Sequence, residues 1–149
     1  MSDYEADPPP SLTERLRPRW PVGLLAAYWC VLFLATHWPN PYPPGGTPNY
    51  PDKLVHFTAY AVLAFLGVFV LAWVPGENGD RVSGWRSLGV VAIIIAYGLF
   101  DEVTQPITGR DFEWFDWAAD CAGASCGALA SVCWNSWRVR SPEADSASS

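Results

Sequence analysis

Apolar residues along this chain fall into four long runs, separated by short stretches of turn-forming residues. The runs are roughly Trp20–Trp38, Asp52–Val74, Trp85–Gln105 and Trp114–Trp137, the last more polar at its start. A helix that crosses a bilayer needs ~20 mostly apolar residues, and each run is close to that length. The breaks, PNPYPPGGTPNYP, PGENGDRVSG and PITGRD, carry the Pro, Gly, Asn and Asp of turns. The pattern predicts an all-α, polytopic membrane protein with four transmembrane helices. Its membrane domain spans 20–137, between polar tails at 1–19 and 138–149. A soluble bundle of buried helices is the alternative, but the runs leave little amphipathic surface to solvate one.

Tryptophan placement agrees with a membrane. Eight of the nine indoles stand near predicted span ends (Trp20, Trp38, Trp73, Trp85, Trp114, Trp117, Trp134 and Trp137), where interfacial belts form, and only Trp29 is mid-span. With four spans, both tails and the middle loop share one side. That side carries Arg15, Arg17, Arg19, Arg81, Arg86, Arg138 and Arg140, against Lys53 and Arg110 on the other. The positive-inside bias therefore places both termini in the cytoplasm of a multi-pass cell-membrane protein. The first run follows an acidic, Pro-rich lead, shows no Ala-x-Ala-like cleavage pattern and reads as an uncleaved signal-anchor. A net charge of −6 without a basic stripe argues against nucleic acid as a partner. Cys30, Cys121, Cys126 and Cys133 form no CxxC or zinc spacing, and read as small buried hydrophobes rather than a disulfide framework.

A charge inside the hydrocarbon layer costs at least ~2.5 kcal/mol on insertion scales, so the ionisable residues at the span ends are the main guide to chemistry. Lys53, His56 and Tyr60 share a face of the second helix at i, i+3, i+7. Tyr97, Asp101 and Gln105 share a face of the third, and Glu102 and Gln105 are i, i+3 neighbours. Pro106 and Gly109 stop that helix, and Arg110 follows. Asp116 and Asp120 lie at i, i+4 on the fourth helix, and the same face continues as Gly123 and Gly127, a small-xxx-small pattern that permits close helix approach. Three helices thus deliver polar groups to one outward-facing layer about two turns thick. The candidate ligand-binding cluster is Lys53, His56, Tyr60, Asp101, Glu102, Gln105, Arg110, Asp116 and Asp120. Its carboxylates outnumber its cations, so protons or a bound cation must offset part of the charge. Outside the cluster, His37 reads as interfacial beside Trp38, and Tyr28 and Tyr97 as packing residues. Asp111 and Glu113 read as a solvated turn and helix N-terminus.

The ordered set Asp52-Lys53-x-x-His56-Phe57-x-x-Tyr60, Asp101-Glu102-x-x-Gln105, Gly109-Arg110 and Asp116-x-x-x-Asp120-x-x-Gly123-x-x-x-Gly127 resembles VanZ-like membrane proteins over residues ~36 to ~127. Two positions depart from that pattern. The family often has Asn where Asp120 stands, and Ser near the outer end of helix one, where Thr36 stands. Asp120 adds an acid, whereas Thr36 keeps the hydroxyl. The resemblance implies a bacterial membrane protein, from a family whose namesake is associated with low-level resistance to the glycopeptide teicoplanin without a settled chemical mechanism.

Four roles fit these residues. The polar groups could be interhelical ion pairs, costly to bury unless partnered. They could recognise an anionic lipid or lipid-linked envelope intermediate. Arg110 would then clamp a phosphate with its planar fork, Lys53 would add a point charge, and Tyr60 and Gln105 would donate hydrogen bonds. The excess of carboxylates counts against a simple anion site. Catalysis on an envelope lipid would use Glu102 or an Asp as base and His56 as acid. However, the chain has no nucleophile elbow, HExxH or phosphate-cradling glycine loop, and one histidine is thin support for a metal. Transport would need a path through AVLAFLGVFVLAW and LGVVAIIIA, which hold no ionisable residue. The expected function is interaction with membrane lipids or surface components of the cell envelope, with an effect on glycopeptide susceptibility suggested by the resemblance. A membrane enzyme and a purely structural cluster remain the alternatives. No enzyme activity, cofactor or metal is expected.

Overall fold

The computed structural model describes residues 19–38, 50–73 and 83–146. Four α-helices follow in order: α1 (Trp20–Thr36), α2 (Tyr50–Leu71), α3 (Gly84–Thr104) and α4 (Trp114–Ser146), with a 3-10 turn at Gln105–Thr108. No strand occurs among the described residues. The helices match the four apolar runs except at the C-terminal end. There α4 runs on to Ser146, through most of the stretch expected as a polar tail, with no glycine after Gly127 to end it. The expected tail at 1–18 and the loops at 39–49 and 74–82 lie outside the described residues. Two segments, Asp52–Leu71 (20 residues) and Gly84–Thr108 (25 residues), are long and apolar enough to cross a membrane. α1 is apolar but shorter, at 17 residues.

α2 is the central helix. It packs most extensively on α4, and its other sides meet α1 and α3. The reason lies in α4, whose buried positions Asp116, Asp120, Gly123, Ala124, Gly127, Ala128, Ser131 and Asn135 recur every three or four residues. Nearly all are small. A Cβ on Gly123 would overlap the Phe57 carbonyl, and one on Gly127 would overlap that of Ala61. Only glycine lets the two backbones meet this closely, as the small-xxx-small pattern requires. α2 buries His56, Tyr60, Leu63, Ala64, Gly67 and Val68, with Phe57 and Ala61 against the glycines of this stripe and Gly67 turned to Val90 and Ile94 of α3. At the end of α3, Pro106 lies in the 3-10 turn and Gly109 reverses the chain at φ +79°, a left-handed value that favours glycine. The Arg110 N–H donates back to the Gln105 carbonyl at 3.3 Å, which closes the turn.

The apolar core is modest: Leu32, Tyr60, Leu63, Ala64, Val68, Ile94, Ala124 and Ala128. Large apolar side chains instead face outward on every helix, among them Val31, Leu34, Val55, Ile93, Phe100 and Leu129. Meanwhile His56, Asp101, Glu102, Gln105, Asp116 and Asp120 are buried. Buried charged groups beneath exposed large apolar side chains are uncommon in water-soluble proteins. The cysteines also depart from expectation. Cys30, Cys126 and Cys133 are exposed and Cys121 is half-buried, all with free thiols. Helical phase explains the two exposed ones on α4: Cys126 and Cys133 are seven residues apart on one face, opposite the glycine and alanine stripe.

Candidate functional site

The polar side chains occupy the end of the bundle where α2 and α4 begin and α3 finishes. At the rim, Lys53 on the first turns of α2 reaches across to the start of α4. Its ammonium donates to Glu113 Oε2 at 2.9 Å and Asp116 Oδ1 at 2.7 Å. Glu113, expected in a solvated turn and helix N-terminus, stands just before α4 and is also one of the two acids that hold Lys53. The turn at Gly109 carries it back over the start of α2, and its backbone N–H donates to Glu102 Oε2 at 3.2 Å. Arg110 stays apart. Its nearest acid is Asp52, at 4.0 Å, and it makes no ion pair with the buried carboxylates. Its predicted place in the cluster is thus on the rim, because the left-handed turn directs the chain outward just before it.

One turn deeper, three helices meet. His56 Nδ1 from α2 lies 3.0 Å from Asp120 Oδ1 of α4 and 3.8 Å from Glu102 Oε1 of α3. Gln105 Nε2 donates to Glu102 Oε1 at 3.4 Å. His56, Glu102, Gln105 and Asp120 are all buried. Beneath them Tyr60 stacks on Tyr97, with ring centroids 6.1 Å apart, and Tyr97 meets Trp29 edge-on at 5.1 Å.

Asp101 faces α1 rather than the α2–α4 seam. Thr36 Oγ1 donates to Asp101 Oδ1 at 2.8 Å, and His37 Nδ1 lies 3.4 Å from the same oxygen. His37 Nε2 in turn meets Thr104 Oγ1 at 2.9 Å. α1 therefore contributes to the cluster as well, beyond the three helices expected from the sequence. Thr36 and His37, at the polar end of the first apolar run, carried the same depth signal as the residues on the other three.

The inner layers are rich in acceptors and poor in donors. Asp101, Glu102 and Asp120 are fully enclosed, and neither lysine nor arginine pairs with them among the described residues. Tyr60 Oη, Asp101 Oδ2 and Asp120 Oδ2 are buried without a hydrogen-bond partner among the described residues. Unpaired polar atoms in such surroundings cost about 1–3 kcal/mol each, so these three mark a place where something further can bind. The arrangement suits a cation or a ligand that offers N–H or O–H groups, and is unsuited to a bare anion. Two overlapping groups have metal-ligand spacing, with ligand atoms within 4.8 Å of one another: His56, Glu102 and Asp120, and Asp52, His56 and Asp116.

Beside the cluster, α1 and α3 form an apolar groove of about 500 Å³, lined by Trp29, Cys30, Phe33, Leu34, Tyr97 and Phe100. Tyr97 joins the two, lining the groove and stacking on Tyr60 of the cluster.

Among the described residues the chain is thus an all-helical bundle with two membrane-length helices and a buried acid–histidine cluster at one end. Comparison with protein families, with curated proteins and with solved structures finds no match.

Proposed function

We propose that this chain is a four-span cell-membrane protein of the VanZ-like type, and that its outer polar cluster holds the headgroup of an envelope lipid. The observation that carries this reading is the junction of two environments. A buried, acceptor-rich cluster adjoins an apolar groove between α1 and α3 that opens on the outer surface. A lipid presents the same two parts in the same order. The four-span arrangement is supported by apolar side chains on the outside of all four helices, including Leu129, Trp134 and Trp137 on α4. The excess of arginine on the opposite side directs the cluster outward.

The headgroup chemistry differs from a simple phosphate clamp. Lys53 is already held by two carboxylates, and Arg110 stands at the rim beside Asp52. The unpaired acceptors Asp101 Oδ2 and Asp120 Oδ2 favour hydroxyl or amine donors, as on a glycosylated headgroup, or a phosphate bridged by a cation. An effect on glycopeptide susceptibility rests on the family resemblance alone. A second reading is structural, and the Lys53–Glu113–Asp116 group favours it, because it ties α2 to the start of α4.

Native mass spectrometry of the purified protein tests the lipid reading. The wild type is expected to retain a defined lipid class. Thr36→Val at the junction and Phe33→Ala in the groove are each expected to lose it while remaining folded. Equal lipid retention by all three proteins would sink the reading.

A further inference from the structure

We propose that His56, Glu102 and Asp120 form a binding site for a divalent first-row metal cation, Zn²⁺ or Mn²⁺. Each ligand comes from a different helix, so a bound ion would tie α2, α3 and α4 together at one point. His56 Nδ1 lies 3.0 Å from Asp120 Oδ1 and 3.8 Å from Glu102 Oε1. Ligands bound at ~2.0–2.2 Å stand roughly 3.0–3.5 Å from one another, so small side-chain adjustments suffice. The ligand set is one imidazole and two carboxylates. It lacks the thiolates that select Cu(I), and its imidazole departs from the all-oxygen cages of Ca²⁺ and Mg²⁺.

Three independent features point to a ligand at this place. Asp120 is fully buried, yet its Oδ2 has no partner among the described residues. The same holds for Asp101 Oδ2 and the Tyr60 hydroxyl close by. Glu102 is already oriented: the Glu113 N–H holds Oε2, while Oε1 is the oxygen nearest His56. Outer partners of this kind fix the ligands of metal centres. Finally, among the described residues the buried acids meet only histidines, His56 beside Glu102 and Asp120 and His37 beside Asp101, so three enclosed carboxyls have two imidazoles and no lysine or arginine to offset them, and unbalanced buried charge is costly. A dication supplies the missing charge.

The overlapping group of Asp52, His56 and Asp116 is the poorer site. The Lys53 ammonium sits 2.7 Å from Asp116 Oδ1, where it would repel a dication. Lysine thus compensates the rim acids, and the metal would compensate the inner ones. Three protein ligands also leave coordination positions for water or a headgroup oxygen. That last role rests on the lipid reading; the metal site itself does not.

The test uses full-length protein in detergent, stripped with a chelator, reloaded with Mn²⁺ or Zn²⁺ and desalted, with no lipid added. One metal per chain is expected by elemental analysis, with a melting midpoint raised by roughly 5 °C. Mn²⁺ should show spin-echo modulation from one imidazole nitrogen. The chain has two histidines, so modulation that survives in His37→Gln belongs to His56. Asp120→Asn should weaken binding at least ~10-fold, whereas Arg86→Gln, exposed at the far end of α3, should leave it unchanged. The proposal is overturned if the wild type retains no stoichiometric metal or if the modulation disappears in His37→Gln. It is equally overturned by a folded Asp120→Asn that binds as tightly as the wild type. Should Asp120→Asn fail to fold, the nitrogen signal of the other two proteins decides. Metal retained in this lipid-free preparation supports the site independently of the lipid reading, and a wild type that retains lipid in native mass spectra but takes up no metal on reloading overturns the metal site and leaves the lipid reading standing.

Discussion

Replacing Gly127 by alanine tests the seam on which the whole cluster is mounted. The added Cβ would overlap the Ala61 carbonyl and stand 2.7 Å from its carbon and 2.8 Å from the Ala61 Cα. Comfortable carbon contacts begin at about 3.5 Å, so α2 and α4 must separate by roughly 1 Å at that level. The obstacle is backbone on a packed helix, which cannot swing aside as a side chain would. A gap of this size forfeits a quarter to a half of each contact, at ~0.1–0.2 kcal/mol per atom pair. Over some tens of pairs along the seam the loss is about 2–3 kcal/mol, the upper part of the usual range for overpacking. Alanine returns up to ~1 kcal/mol through its better helix propensity, leaving a net fall of about 1–2 kcal/mol. At ~2–4 °C per kcal/mol, the melting midpoint should drop by roughly 2–8 °C. The assay is intrinsic tryptophan fluorescence on heating in one fixed detergent. Gly89→Ala is the internal control, because nothing lies within 4 Å of a Cβ there. That variant should melt at or slightly above the wild type. If Gly127→Ala melts at or above Gly89→Ala, the close approach of α2 and α4 is wrong.

Three further outcomes follow from the same geometry. Lys53→Met strips Glu113 and Asp116 of their cation and should cost about 1–3 kcal/mol in thermal unfolding; part of this should return in Lys53→Met/Asp116→Leu, and an unchanged single variant would remove the rim ion pair as a structural element. Glu102→Gln keeps an oxygen for the Glu113 N–H, so its stability should change by less than ~1 kcal/mol while metal retention falls ~10-fold; a loss of ~3 kcal/mol or more would mean that the carboxylate is there to hold the helices together. A reporter fused after Ser149 should be active only when its working compartment is the cytoplasm, and activity from an export-dependent reporter would overturn the proposed orientation and with it the outward-facing cluster.

Much of the architecture could be read along the chain because its causes are local. Helix α3 ends where Pro106 and Gly109 stand, and each apolar run is helical because its breaks hold the turn residues. Depth was also legible. A rise of 1.5 Å per residue puts His56, Glu102, Gln105 and Asp120 near one level whatever the rotation of each helix. The cysteines show the limit of such reasoning. Their apolar surroundings suggested burial, but Cys126 and Cys133 face outward because the glycine and alanine stripe fills the inward positions of α4. In a bundle with an apolar exterior, a hydrophobic neighbourhood carries no information about which face is inside.

By itself, then, the amino-acid sequence determined which segments are helical, which faces of them are polar, and that three polar faces lie at a common end. Those properties depend on residues a few positions apart. Partner choice was decided only by the tertiary structure. It joined Lys53 to Glu113 and Asp116, turned Asp101 toward Thr36, left Arg110 on the rim, and set His56 between Glu102 and Asp120. These outcomes depend on the order and rotation of helices around α2. The Gly123 and Gly127 contacts and the reversal at Gly109 fix that arrangement through packing between residues far apart in the chain, where no local periodicity reaches.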